Sequence, residues 1–270
     1  SAASDVYKRQ PTIYPYFLGF SLLAITPSCA QKTENQSVIE VDNTQTLDTV
    51  NIEQQHFSMD ELIGKSKLDL VGKDYQLRPE VAKAFEAMSQ EARKAGFRIV
   101  VVSSYRNYNY QNGIWERKYK ANISKKMKPI DNLNKIIEYS TIPGTSRHHW
   151  GTDLDIIDIS KGYPKDPLNE KHFNEGGQMH EFKKWLDENA ENFGFYLVYT
   201  NATDRKGFRY EPWHFSYKAI SKPMLAAFKK LDIKTILQNN LLMGSENFSD
   251  EFIQKYINEN IFDINPSLLP

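Results

Sequence analysis

His148 and His214 lie in dense polar and aromatic segments, S-R-H-H-W-G-T-D-L-D at residues 146–155 and E-P-W-H-F at residues 211–215. A catalytic zinc site takes three ligands from the protein, such as histidine nitrogens and a carboxylate, and leaves a fourth position for water. Asp155 lies on a predicted strand that begins soon after His148, so both side chains can reach one ion. We therefore predict that His148, Asp155 and His214 hold a metal ion. A histidine and an aspartate at this spacing also occur as a purely structural pair.

Glu211, in the same segment as His214, is the candidate general base. Hydrolysis at a metal site needs a carboxylate that takes a proton from the attacking water and passes it to the leaving amine. Pro212 disfavours a regular helix at this point, so the segment is not a helical H-E-x-x-H site. The alternative for Glu211 is a surface carboxylate on a strand.

Two motifs connect these residues to a known family. The pattern S-x-H-x-x-G-x-x-x-D, followed far downstream by E-P-W-H, is present at Ser146, His148, Gly151 and Asp155 and at Glu211, Pro212, Trp213 and His214. An upstream S-x-Y-R-x-x-x-x-Q element is present at Ser103, Tyr105, Arg106 and Gln111. Together they resemble the D-alanyl-D-alanine carboxypeptidase branch of the LAS metallopeptidases, a VanY-like family that also includes L,D-carboxypeptidases. The resemblance spans residues 77–217.

The resemblance implies a zinc ion on His148, Asp155 and His214, with Glu211 as the base. The implied activity is that of a zinc-dependent carboxypeptidase that removes a C-terminal D-alanine from peptidoglycan stem peptides. One alternative is a peptidoglycan endopeptidase, against which Arg106 argues. The other is a catalytically silent cell-wall-binding lipoprotein, against which the intact Glu211 argues.

The same resemblance implies that Arg106 pairs with the carboxylate of the substrate, because an arginine fork binds a carboxylate through two parallel hydrogen bonds. Gln111 and Ser146 would orient the peptide, although a helix surface and a turn explain them equally well. Asp153 stands where many relatives have alanine, and Ser216 stands where an arginine often follows the metal histidine. Asp153 has the chemistry to accept the free ring N–H of a ligand histidine. The choice between D,D and L,D bonds stays open.

The elements that must position these residues follow from hydrophobic spacing. We predict helices over residues 79–95, 110–120, 180–192, 223–231 and 252–257, and strands over 97–102, 152–157, 195–199 and 207–215. Residues 121–134 are basic and low in hydrophobicity, which indicates a surface excursion. The expected fold class is α+β, with a small central, mainly antiparallel sheet and packed helices, as in hedgehog and D-Ala-D-Ala peptidase domains.

Composition limits the compartment and the partners. Lysine plus arginine and aspartate plus glutamate number 34 each, so no net field favours nucleic acid, and we expect no nucleic-acid partner. The single cysteine, Cys29, excludes an internal disulfide and a multi-thiolate zinc site. It follows an apolar run at residues 14–25 that is typical of an export signal. The segment 23–29 resembles a bacterial lipoprotein processing site, and the alternative is a buried helix with an incidental cysteine.

These features divide the chain into four predicted parts. Residues 1–29 are a leader with a lipoprotein-type signal peptide, of which the first ten have the character of translated flanking sequence; residues 30–55 are a polar tether. Residues 56–218 form the zinc peptidase domain, and residues 219–270 form a C-terminal helical extension packed on it. We expect an exported protein of the periplasm or cell envelope, anchored in the membrane by lipid on Cys29 and acting on peptidoglycan stem peptides.

Overall fold

A computed structural model describes residues 56–239 and 241–270. The predicted leader at residues 1–29 and the predicted tether at residues 30–55 lie outside the described residues. Within the described part, every helix is too short or too polar to cross a lipid bilayer.

The described residues form a four-stranded antiparallel sheet. Its strands are β1 (Ile99–Ser103), β2 (Asp153–Asp158), β3 (Phe195–Leu197) and β4 (His214–Tyr217), in the spatial order β1-β2-β4-β3. Strands β2 and β4 are central, and all residues of β2 are buried. The predicted α+β class with a small, mainly antiparallel sheet is confirmed.

Helices pack around this sheet and share its hydrophobic core. They are α1 (Met59–Leu62), α2 (Pro79–Lys94), α3 (Tyr108–Ser124), α4 (Pro129–Ile136), α5 (His180–Asn189), α6 (Lys218–Phe228), α7 (Ile233–Asn239) and α8 (Asp250–Tyr256). Helix α2 begins at Pro79, whose ring presets φ for a first helical turn. Its apolar residues recur at helical spacing, and Val81, Phe85 and Met88 are buried.

Two expectations about local structure were wrong. Residues 207–213 are not a strand, because Pro212 has no N–H for a ladder and the chain turns tightly before β4. In that turn the Glu211 N–H donates to the Tyr199 carbonyl at 3.2 Å, and the His214 N–H donates to the Glu211 carbonyl at 3.0 Å. Residues 121–134 are not only a surface excursion, because α4 buries Leu133 against the core.

The segment after α6 packs against the body of the domain through several hydrogen bonds. The Trp115 indole Nε1 donates to the Met243 carbonyl at 2.8 Å, and the Asn265 N–H donates to the Val198 carbonyl at 2.9 Å. The Tyr256 hydroxyl accepts a hydrogen bond from the Ile142 N–H at 2.9 Å. This hydroxyl therefore fixes the backbone of the loop that leads to Ser146.

We expect Tyr256→Phe to lower the free energy of unfolding by about 1–3 kcal/mol, because the buried Ile142 N–H loses its acceptor. Urea denaturation of both proteins measures the difference. Tyr196→Phe is the matched control, since the Tyr196 ring keeps its contact with the Lys218 ammonium, 4.5 Å from the ring centroid. An unchanged midpoint for Tyr256→Phe contradicts the role given to the hydroxyl.

Candidate metal centre

The two central strands bring the predicted ligands together. Asp155 on β2 and His214 on β4 are directly paired in the antiparallel register. His148 lies in a short 3₁₀ turn, Arg147–Trp150, immediately before β2. One ligand atom from each of these three residues lies within 4.8 Å of the others, and all three side chains are buried. The sequence pattern and the folded chain thus give the same three residues as a possible metal site.

The surroundings of Asp155 fit a cation. Its Oδ2 lies 3.6 Å from His148 Nε2, and its Oδ1 lies 3.8 Å from His214 Nδ1. Oδ1 is buried and has no hydrogen-bond partner among the described residues. Two imidazole nitrogens and one carboxylate form the donor set that zinc accepts, and a bound ion would satisfy the orphaned oxygen. The residues present therefore fit a zinc ion.

Each ligand histidine is oriented through its other ring nitrogen. His148 Nδ1 donates to the Ser104 carbonyl at 2.7 Å, which leaves Nε2 facing Asp155. His214 Nε2 lies 3.0 Å from Asp153 Oδ2, which leaves Nδ1 facing Asp155 and Glu211. Such outer contacts select the tautomer and increase the basicity of a metal-binding imidazole.

The pKa values of His148 and His214 are shifted in opposite directions. Burial, reinforced by the nearby Arg106, lowers the pKa of His148, so its ring is neutral and ready to bind a metal. Burial alone would also lower the pKa of His214, but hydrogen bonds to Asp153 and Glu211 raise it to about 9. A metal ion at Nδ1 would replace the proton that otherwise faces Glu211 and Asp155 there.

Glu211 lies beside the three ligands. The tight turn before β4 directs its Oε2 to within 3.1 Å of His214 Nδ1. The side chain is buried rather than on an exposed strand face, and burial raises the pKa of its carboxyl group. A carboxylate of increased basicity next to a metal position has the character of a general base.

The predicted substrate-binding residues line one cavity with the metal ligands. Arg106 follows β1, Gln111 lies in the first turn of α3, and Ser146 precedes the 3₁₀ turn. Each contributes a buried polar atom that has no partner among the described residues: Arg106 Nε, Gln111 Oε1 and Ser146 Oγ. Gln111 Nε2 donates to the Thr141 carbonyl at 3.0 Å, which fixes the direction of its amide. The cavity thus offers both donors and acceptors to a polar ligand.

Lys118 and Tyr199 also line this cavity, and sequence reasoning missed both. Lys118 is buried there and donates to Ser140 Oγ at 2.6 Å. The Tyr199 ring meets His214 edge to face, with centroids 5.1 Å apart. Lys118 lies seven residues after Gln111, two turns along the same helix face, and that spacing could have identified it. No motif or spacing in the sequence singles out Tyr199 in the same way.

The comparisons with known proteins agree with the motifs. A family model described as VanY: D-alanyl-D-alanine carboxypeptidase matches residues 74–220, more than half of the chain. The putative carboxypeptidase YodJ of Bacillus subtilis is 31% identical over 142 residues, 52% of this chain and 46% of that protein. A D-alanyl-D-alanine carboxypeptidase of Enterococcus faecalis is 29% identical over 148 residues, 54% of this chain and 48% of that protein.

Among solved structures, VanYB in complex with D-alanine-D-alanine is 22% identical, with a TM-score of 0.47, and the match covers 65% of this chain and 91% of that one. The chain spans about half the length of these two curated relatives, as the coverages of 46% and 48% show. The family match confirms the resemblance read from the motifs, and the chain belongs to the VanY D-alanyl-D-alanine carboxypeptidase family.

Proposed function

We propose that this protein is a zinc-dependent carboxypeptidase that removes the C-terminal D-alanine from peptidoglycan stem peptides. The observation that carries the proposal is the convergence of three buried ligand atoms, within 4.8 Å of one another, beside Glu211 and an arginine-lined cavity. Family membership and the carboxypeptidase names of the two curated relatives support the reaction class.

A metal ion at this position would supply Lewis-acid chemistry that the side chains alone cannot supply. Held by His148, Asp155 and His214, a zinc ion would supply a Lewis acid for the scissile carbonyl and lower the pKa of the attacking water. The histidine contacts described above keep Nε2 of His148 and Nδ1 of His214 turned toward this position. Because these contacts are buried, little reorganisation is needed when the ligands come into use.

Glu211 carries a proton from the attacking water to the leaving amine. Its Oε2 takes a proton from the attacking water and delivers it to the nitrogen of the leaving amino acid, so that the scissile C–N bond breaks to give a neutral amine. Burial raises the pKa of Glu211 and brings it closer to the working pH, which favours both transfers.

Arg106 selects a free C-terminus. Its guanidinium lines the cavity, and its buried Nε has no partner among the described residues. A charge-assisted pair with the terminal carboxylate of a peptide would satisfy it and position the last peptide bond against the metal ligands. An internal peptide bond offers no such carboxylate, so this residue favours a carboxypeptidase over an endopeptidase.

The first test uses synthetic stem peptides. Zinc-loaded protein is incubated with a pentapeptide stem, with a tetrapeptide stem, and with the pentapeptide as its C-terminal amide, and the products are identified by mass spectrometry. We expect loss of one D-alanine from a free-acid peptide, none from the amide, and none with chelator. Cleavage of the pentapeptide assigns D,D specificity and cleavage of the tetrapeptide assigns L,D specificity. Equal cleavage of the amide, or cleavage of neither acid, rules out the proposal.

The second test concerns Glu211. Glu211→Gln is expected to lower kcat by about 10²- to 10⁴-fold, because the amide cannot accept the proton of the water. The zinc content, measured by atomic absorption, should stay near one ion per chain. Glu181→Gln is the control, since that exposed carboxylate on α5 pairs with Lys184 at 3.1 Å. Substantial residual turnover in Glu211→Gln would show that another group is the base.

We also propose that the protein is exported and attached to the cell envelope by lipid on Cys29. The support is the apolar run at residues 14–25 and the small residues before the cysteine. In cells supplied with a radiolabelled fatty acid, the chain should carry label, Cys29→Ser should carry none, and Ser37→Ala should keep it. Label on Cys29→Ser would place the lipid elsewhere or show that labelling is non-specific.

A further inference from the structure

A second buried triad stands behind the metal triad. Each of its members is a near neighbour in sequence of one metal ligand: Arg147 precedes His148, Asp153 lies two residues before Asp155, and Ser216 lies two residues after His214. Asp153 and Ser216 are paired in the β2–β4 register, as are Asp155 and His214. Because side chains two apart on a strand share a face, Asp153 and Ser216 lie on the same face of the sheet as Asp155 and His214.

The members of this triad are joined directly. Arg147 Nε donates to Asp153 Oδ2 at 2.9 Å, and Arg147 Nη2 donates to Ser216 Oγ at 2.7 Å. Ser216 Oγ in turn donates to Asp153 Oδ1 at 2.7 Å. These bonds connect the 3₁₀ turn, β2 and β4, the same three segments that carry the ligands.

Asp153 also connects the triad to a ligand. Its Oδ2 lies 3.0 Å from His214 Nε2, and its Oδ1 accepts a further hydrogen bond from Thr152 Oγ1 at 2.7 Å. Every contact of this carboxylate is internal, since Asp153 is completely buried. Its charge is balanced by Arg147, whose guanidinium also lies over the Trp150 ring at 4.8 Å. Four hydrogen-bond contacts therefore hold the carboxylate in place, and one of them is to the imidazole of His214.

We propose that Arg147, Asp153 and Ser216 form a clamp that organises the metal site before the metal binds, by fixing the three ligand-bearing segments and directing His214 Nδ1 toward Asp155. The inference rests on the proposed function, since it assumes that the three ligands hold zinc. Arg147 and Asp153 are positioning residues that act through His214. Loss of the outer partner of a metal-binding histidine typically weakens metal affinity by about 10- to 100-fold.

The test measures zinc affinity without any peptidase assay. The full chain carrying Cys29→Ser, so that the thiol cannot bind metal, is freed of metal and titrated with zinc against a chromophoric chelator. We expect Asp153→Asn to bind zinc about 10- to 100-fold more weakly. Cobalt substitution should also change the visible absorption spectrum of this variant, because the orientation of His214 changes. Asp158→Asn is the matched control, a buried carboxylate on the same strand that accepts from the Arg98 N–H and Ser160 instead.

Three further variants separate positioning from folding. Arg147→Met leaves the Asp153 charge buried without its cation, so its thermal midpoint should fall. Adding Asp153→Asn to it removes both charges and should restore the midpoint of the metal-free protein while zinc affinity stays low. Ser216→Ala removes two hydrogen bonds without unpairing a charge and should weaken zinc binding by a smaller factor. If the other variants fail to fold, the zinc affinity of Ser216→Ala tests the proposal instead.

Wild-type zinc affinity in the folded variants would overturn the clamp and leave the proposed function standing. If the chain that carries only Cys29→Ser binds no zinc, both the clamp and the proposed function are overturned.

Discussion

The pairing of β2 with β4 is the constraint on which the rest of the site depends. It sets Asp155 opposite His214 on one face, while the adjacent pair, Leu154 and Phe215, is buried on the other. Because side chains alternate along a strand, a slip of one strand by one residue would turn its ligand-bearing side chain to the opposite face and bring an apolar side chain to the site in its place. The hydrophobic core therefore fixes the register, and the register fixes the metal position.

The site concentrates buried charge on a small sheet. Asp153, Asp155, Glu211 and Arg147 are all nearly inaccessible to solvent. Removing so many charges from water is costly unless each is paired, and pairing is seen for Arg147 with Asp153. Among the three carboxylates, Asp155 has one buried oxygen left without a partner among the described residues. The two neighbouring carboxylates thus differ: one is saturated by protein groups, and the other keeps capacity for a cation.

The sequence predicted which residues form the candidate site better than it predicted the secondary structure and contacts around them. The motif residues around His148 and His214 gave the three side chains that the fold brings together and the neighbouring Glu211, whose roles stay predictions, and the spacing after Pro79 predicted α2. The strand expected at 207–213 failed because the tight turn that directs Glu211 depends on a hydrogen bond to Tyr199, a contact made only in the folded chain. Arg147 was missed for a similar reason. A basic residue in a polar motif suggests an exposed side chain, and only the pairing of β2 with β4 brings Ser216, 69 residues away, to its guanidinium.

The contact between Tyr256 and the Ile142 N–H joins residues 114 positions apart in the chain. During synthesis the loop that carries Ser146 therefore leaves the ribosome long before the residue that fixes it. The strands of the sheet can pair earlier, since β4 ends at Tyr217, but the wall of the cavity that carries Ser146 is fixed only when α8 has been translated. The cluster of His148, Asp155 and His214 and the opposite wall of the cavity are thus completed at different times, and in a nascent chain the candidate metal position can form first.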